Sequence, residues 1–406
     1  MKDRFVFVDP PSPPGFVSFK HSHGGYGELC RESRLRIPTL DLFHGASLLL
    51  DNGFSAEIVD SVLEGHSLAQ CADEVARRKP SVVVIRTACA SLPHDLKLAQ
   101  NLRERGNAKI IVYGPQLAAE SERAKAREAV DAVIAGDAPT AFLDIARGKT
   151  LKEASGVWGD NLEMAPIPRW DLVDYKRYTY VTSQTSWGCP LGCGYCSYPV
   201  TQGARWKTRS IESVVREFSA LRDRYGLRYV QLRDPEFTFN RRRTVDLCSA
   251  LISAGVPITW GCDTRLDTLD EELIELMAKA GCLRVTFGVE SLNPEALRLM
   301  NRPVFSPETI KAKAACLKKN GMLAYALYII GLPGETRKST RGLIDFALEL
   351  GTEAASFSMA TPFPGTALER LGRARGWISA PDPRRLTSSV PSMRNADLSA
   401  GEIEEL

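Results

Sequence analysis

The stretch Cys189-Pro-Leu-Gly-Cys193-Gly-Tyr-Cys196 decides how the rest of the chain reads, with three cysteines at spacings of four and three. Soft thiolates select zinc, copper or iron–sulfur. Three ligands are one too few for a closed structural zinc or a cluster held by four thiolates. A cubane held by three would keep one iron open to a substrate or cofactor. On the residues alone, a structural zinc with its fourth ligand elsewhere and ordinary free cysteines remain alternatives. The segment Tyr180–Trp187 reads as a short strand, the cysteines fall on a loop containing Gly and Pro, and a helix is expected to start near Ser210.

On the C-terminal side the alternation of strand and helix continues. Strands are expected at Arg228–Leu232, Ile258–Cys262, Leu283–Phe287, Leu323–Ile330 and Ala355–Ala360. Gly226, Gly255, Gly281 and Gly321 stop the helices and turns between them. With Tyr180–Trp187 this makes six strand–helix units over residues 181–380. In such repeats chemistry sits on the loops after the strands. Polar residues there are therefore candidates: Arg233, Asp234, Glu236, Asp263, Arg265, Glu290 and Glu335. All five histidines lie at or before residue 94. Proton transfer in this half thus falls to carboxylates, Tyr, Lys, Cys or water, with Glu236 and Asp263 as the catalytic carboxylates to watch.

On the N-terminal side, residues 1–145 read as a smaller α/β domain. Strands are expected at Phe5–Val8, Ala56–Val59, Val82–Ile85, Lys109–Tyr113 and Ala132–Ile134. Helices fall between them, and the apolar run Val82–Ile85 suits a central parallel strand. The pattern predicts a doubly wound, Rossmann-like sheet with ligands at the carboxyl ends of its strands. Loops Pro10–Pro14, Thr87–Leu92, Gly114–Leu117 and Gly136–Pro139 would line such a pocket. Residues 15–36, with His21, His23, Gly24, Gly25 and Gly27, are expected to be a mobile polar loop. Residues 146–180 read as an irregular, proline-stiffened linker, with Trp170 and Tyr175 as packing anchors.

The triplet resembles the radical S-adenosylmethionine (SAM) superfamily, whose mark is CxxxCxxC with an aromatic residue before the last cysteine; Tyr195 fills that place. The resemblance implies a [4Fe–4S] cluster on Cys189, Cys193 and Cys196, with SAM on the open iron. It also implies a partial (β/α)6 TIM-like barrel. By the same resemblance, Tyr195 and the Gly331–Glu335 turn lie beside the adenine, Glu290 contacts polar groups of SAM, and Arg265 pairs with its carboxylate. A bidentate guanidinium suits that last task. Cys262 is a candidate hydrogen-atom donor to a substrate radical. The N-terminal half resembles the cobalamin-binding domain fused to one large subclass, on the Pro-rich loop 9–14, the Gly114-Pro115 turn and the Ala135–Pro139 turn. An Asp-x-His-x-x-Gly motif is missing. Thr87, Ser91, Gly114 and Gln116 are the residues expected near a cobalamin.

The implied activity is one-electron cleavage of SAM to a 5′-deoxyadenosyl radical that takes hydrogen from an unactivated carbon of a small molecule. With cobalamin the outcome is methyl transfer. Without it, the alternative is a dehydratase, epimerase or oxidative rearrangement of a sugar or secondary metabolite. Reduction calls for a donor such as flavodoxin or ferredoxin. The 406 residues, with 44% hydrophobic, 25% charged and a net charge of +3, are ordinary for a globular protein and too weakly basic to argue for nucleic acid. No apolar run reaches membrane-spanning length, ten cysteines are too sparse for a disulfide scaffold, and a cytoplasmic protein is expected. Residues 381–406 read as a tail from a longer parent, with Ser399 and Glu402 placed to cap a helix.

Overall fold

The computed structural model describes residues 3–136, 139–155, 162–378 and 385–406. The expected turn residues Asp137 and Ala138, Gly156 and Gly159 of the linker, and Pro381–Arg384 of the tail lie outside the described residues. The chain divides into two compact units. The first comprises Met1–Val181, Ser197–Lys207 and Asp382–Thr387; the second comprises Thr182–Cys196, Thr208–Pro381 and Ser388–Leu406.

The first unit holds a six-stranded sheet in the order Ser55–Asp60, Arg4–Asp9, Val82–Arg86, Lys109–Gly114, Ala132–Ala135, Glu153–Ser155. Every adjacent pair is parallel. The chain moves outward from Arg4–Asp9 to Ser55–Asp60, then returns to the other side at Val82–Arg86. That reversal is the switch point of a doubly wound fold. Five strands fall where the apolar runs place them. The sixth, Glu153–Ser155, lies in the stretch read as irregular, because three part-exposed edge residues carry no apolar signal.

Residues 15–36 depart from the mobile loop expected of them. Val17–Phe19 and Glu28–Cys30 pair antiparallel, and the glycines between are packed. A Cβ at Gly25 would stand 2.5 Å from Pro115 Cγ, and one at Gly24 would stand 2.9 Å from Thr201 Oγ1. Both have positive φ, so only glycine serves without strain. Trp170 is wholly buried against Phe43, with ring centroids 4.4 Å apart, as an anchor should be.

The second unit is a six-stranded sheet in chain order: Val181–Ser183, Tyr229–Leu232, Thr259–Thr264, Cys282–Glu290, Leu323–Ile330, Ala354–Met359. Its first and last strands are its two edges, so the barrel is partial. Helices start where a side chain satisfies an orphan backbone N–H. Ser210 caps Ile211–Asp223, Asn240 caps Arg241–Ala254, Asp270 caps Glu271–Lys279 and Ser306 caps Pro307–Lys319. Gly255 and Gly351 end helices in the left-handed conformation.

Strand alternation sorts the residues into two faces. Trp260, Cys262, Val285, Phe287, Ala324 and Ala326 are buried on the face that carries the helices. Gln231, Asp263, Arg284 and Thr286 lie on the other, toward the mouth. Cys262 is wholly buried and burial pushes its thiol up strongly. The strand runs on to Thr264, and its parity turns the sulfur of this expected hydrogen-atom donor into the apolar layer.

The tail is integrated into this unit. Ser399 and Glu402 form the capping box of Ala400–Glu404, and Leu398 and Ile403 pack with Ile330.

Candidate active site

The cysteine loop is built by backbone clamps. Gly194 N donates to Met300 O over 2.8 Å, and Leu368 N donates to Gly194 O over 2.8 Å. Asn301 Nδ2 reaches the carbonyls of Leu191 and Gly192 at 3.0 and 3.2 Å. A Cβ at Gly194 would stand 3.2 Å from Met300 Sδ, so a side chain there would press on the clamp. Upstream, Asp234 receives Thr185 N at 2.7 Å and the hydroxyls of Thr185 and Ser186 at 2.6 Å. It ties the strand before the triplet to the loop after Tyr229–Leu232.

Two arginines converge on Cys193. Arg265 Nη1 lies 3.9 Å from its sulfur and Arg302 Nη1 lies 3.8 Å from it. Arg265 also forks onto Asp267. Arg302 donates to Gly288 O at 3.0 Å and lies 3.4 Å from Glu290 Oε1. Burial alone would disfavour the Arg302 cation, but Tyr195, Glu290 and Cys193 outweigh it and keep it firmly protonated. Sequence reasoning missed Arg302. It follows a short helix rather than a strand, and the only local signal is Asn301 at φ +53°, a conformation Asn tolerates.

Glu290 stands at φ +64°, at a bulge where the register against Leu323–Ile330 slips between Gly288 and Glu290. A strained non-glycine residue of this kind persists only where its surroundings hold it. Tyr195 Oη donates to Glu290 Oε1 over 2.8 Å and Arg302 flanks it. The Tyr195 ring packs with the cluster of Ala296, Met300, Ile329 and Leu332.

Other expected residues are brought near but differently employed. Glu236 accepts from the hydroxyls of Thr264, Thr268 and Thr238 at 2.6, 3.2 and 3.0 Å. The first two hydroxyls belong to the turn that presents Arg265, so the carboxylate braces that turn. Asp263 faces Gln231, Arg233 and Arg284 on the open side; burial raises its carboxyl, opposed first by Arg233. Glu335 is buried and takes the hydroxyls of Ser291 and Ser339. Gly331 has φ +85°, and a Cβ there would stand 2.8 Å from Ile403 Cδ1. Asn395 Nδ2 holds the carbonyls of Leu332 and Glu335, each at 2.9 Å. The Gly331–Glu335 turn is thus fixed from both sides.

The donor set is three thiols on one short loop, soft ligands that suit an iron–sulfur cluster. Among the described residues no group of three or more His, Cys, Asp or Glu side chains is gathered to hold one metal ion. Thiolates of a cubane each take a different iron and stand farther apart. Burial pushes the Cys189 thiol up to about 11, and a bound metal would act in the opposite direction by favouring the thiolate.

In the first unit, the carboxyl ends of Arg4–Asp9 and Val82–Arg86 are filled by buried charge. Lys20 Nζ lies 3.0 Å from Asp9 and 3.7 Å from Asp95, and Arg86 Nε donates to Asp41 over 2.8 Å. Thr87 and Ser91, expected to face a cofactor, both donate to Asp95 Oδ2, at 2.8 and 2.6 Å. Gln116 is different. Its side chain is wholly buried, with neither amide atom partnered. A Cβ at Gly114 would stand 2.3 Å from Gln116 Oε1, so that glycine admits the folded-back amide. A buried amide with two unused hydrogen-bonding atoms costs free energy unless a ligand supplies partners.

Fold and site define a partial-barrel enzyme that presents three cysteines on the loop after its first strand. Residues 184–347 match the Radical SAM superfamily, and the chain carries a radical SAM domain. An uncharacterized methyltransferase of Pyrococcus horikoshii is 29% identical over 399 residues, covering 91% of this chain and 86% of the relative. The radical SAM methyltransferase TsrM of Kitasatospora setae, solved with cobalamin and a [4Fe–4S] cluster, superposes with a TM-score of 0.72 over 99% of this chain and 81% of that one, at 17% identity. The cobalamin-dependent radical enzyme OxsB, solved with aqua-cobalamin and SAM, gives 0.75 over 99% and 66%, at 14% identity. At these identities the likeness is one of fold. No helix among the described residues is long and apolar enough to cross a membrane.

Proposed function

We propose that this enzyme uses a [4Fe–4S] cluster, SAM and cobalamin to methylate an unactivated carbon of a small molecule. The observation that carries the reading is the joining of Cys193 and Tyr195 of the cysteine loop to Arg302 and Glu290 through two hydrogen bonds and an ion pair. Cys189, Cys193 and Cys196 would hold the cluster. Glu290 and the two arginines offer one carboxylate and two guanidinium groups, the complement of an amino acid's ammonium and carboxylate. The fixed Gly331–Glu335 turn would flank the adenine. Gln116, unpartnered at both amide atoms, has hydrogen-bonding capacity to spare for cobalamin. When bound, the cluster supplies the electron that cleaves SAM, and cobalamin carries the methyl group. The electron calls for a flavodoxin- or ferredoxin-type donor, which a cytoplasmic enzyme would meet.

Anaerobic reconstitution tests the reading. The expected protein is brown, releases 5′-deoxyadenosine from SAM with a reductant, and keeps corrin absorption bands after desalting from hydroxocobalamin. Cys193→Ala should abolish release. Release that survives the substitution removes the ligand assignment. A cluster without retained corrin leaves the alternative, radical chemistry with no methyl transfer.

A further inference from the structure

We propose that Arg302 and Arg265 set the reduction potential of the iron–sulfur cluster by acting through the sulfur of Cys193. The inference rests on the cluster reading above and deepens it.

The two guanidinium groups come from separate loops, one after Thr259–Thr264 and one after Pro294–Leu299. Each is fixed by its other bonds. Arg265 is held by Asp267 through Nε and Nη2, and Arg302 by Gly288 O and Glu290. Each then presents Nη1 to the same sulfur, at 3.9 and 3.8 Å. Asp267 and Glu290 balance the two cations, but a neutral thiol does not make a strong acceptor for the N–H groups left pointing at it. A thiolate carrying part of a cluster's negative charge does. Reduction adds one more electron to the cluster and its sulfurs, so N–H donors and positive charge at a ligand sulfur stabilise the reduced form and raise the potential. Both arginines are positioning residues here, because they reach the irons only through Cys193.

The full chain, reconstituted anaerobically with iron and sulfide, is titrated with reductant while the reduced cluster is followed by electron paramagnetic resonance. Iron per chain is measured in parallel. In Arg265→Gln and Arg302→Met, iron content should match the parent, while the reduction equilibrium shifts toward the oxidised form on the order of tenfold, or ~59 mV for a one-electron couple. Arg302→Lys, which keeps the charge but loses the fork, should fall between. Unchanged midpoints at full iron content overturn the inference. If Arg302→Met assembles no cluster, Arg265→Gln decides, since its other partner Asp267 is a part-exposed carboxylate. Loss of assembly in both, in protein that remains folded, overturns it in favour of a purely structural role. A parent that takes up no iron fails at the cluster reading, which the iron count tells apart from a failure of the tuning.

Discussion

The hydroxyl of Tyr195 donates to Glu290 Oε1 over 2.8 Å, tying the cysteine triplet to a strand end 95 residues later. The bond holds the carboxylate of a residue whose backbone is itself strained. Tyr195→Phe keeps the ring in its apolar contacts and removes one of the groups that orient Glu290. A buried acceptor losing a donor costs about 1–3 kcal/mol. We expect iron content to be kept, the thermal midpoint to fall, and SAM to bind several-fold more weakly by anaerobic calorimetry. Unaltered SAM affinity in both Tyr195→Phe and Glu290→Gln would count against Glu290 as a SAM contact.

Gly288→Ala should be more damaging than its size suggests. The new methyl would stand 2.0 Å from Glu290 Oε1 and 2.9 Å from Arg302 Nη2. Both side chains must move, which undoes their pairing together. SAM affinity should fall further than in Tyr195→Phe, with a stability loss of about 1–3 kcal/mol in denaturant titration.

Glu236→Gln separates bracing from acid–base catalysis. Its carboxylate is already occupied by three threonine hydroxyls. If it only positions Arg265, the variant lowers turnover while the pH profile of 5′-deoxyadenosine release keeps its shape. A lost limb in that profile would restore Glu236 as a proton carrier.

Asn395→Ala should loosen the Gly331–Glu335 turn. One amide satisfies two carbonyls there, and removing it leaves both in a buried site. The expected loss is about 1–3 kcal/mol. Faster proteolysis within residues 385–406 should accompany it.

Stability should also carry a pH signature from the first unit. Burial, and then the charge of Asp9, raises the Asp60 carboxyl to about 7. A carboxyl with a higher pKa folded than unfolded binds more protons in the folded state. It therefore costs stability as pH rises from about 4 to about 7. Asp95, raised to about 6 chiefly by burial, acts in the same direction. Asp60→Asn should flatten the fall in urea midpoint between these limits. An equally steep fall in the variant would locate the proton uptake elsewhere.

Much of this architecture is legible in the chain. Most strands of the two sheets announce themselves because a buried parallel strand must be apolar, as Val82–Ile85 is, whereas the part-exposed edge strand Glu153–Ser155 does not. The helices announce their starts because an exposed N-terminus needs a cap, as Ser210 and Ser399 show. The cysteine triplet is equally plain, since its ligands are close neighbours in sequence.

The partnerships of the site are not legible in that way. Arg302 meets Cys193 across 109 residues, and no local pattern distinguishes it from other arginines. The face on which Cys262 lies turns on strand parity and on where the strand ends, a matter of two residues. Thr87 and Ser91 look as available as Gln116 until the fold brings Asp95 against them. Sequence by itself determined most of the buried strands and the helices, and where three thiols gather, because those follow from local periodicity and spacing. Only the tertiary structure decided which charges meet, because burial and hydrogen-bond saturation belong to neighbours that the chain order keeps far apart.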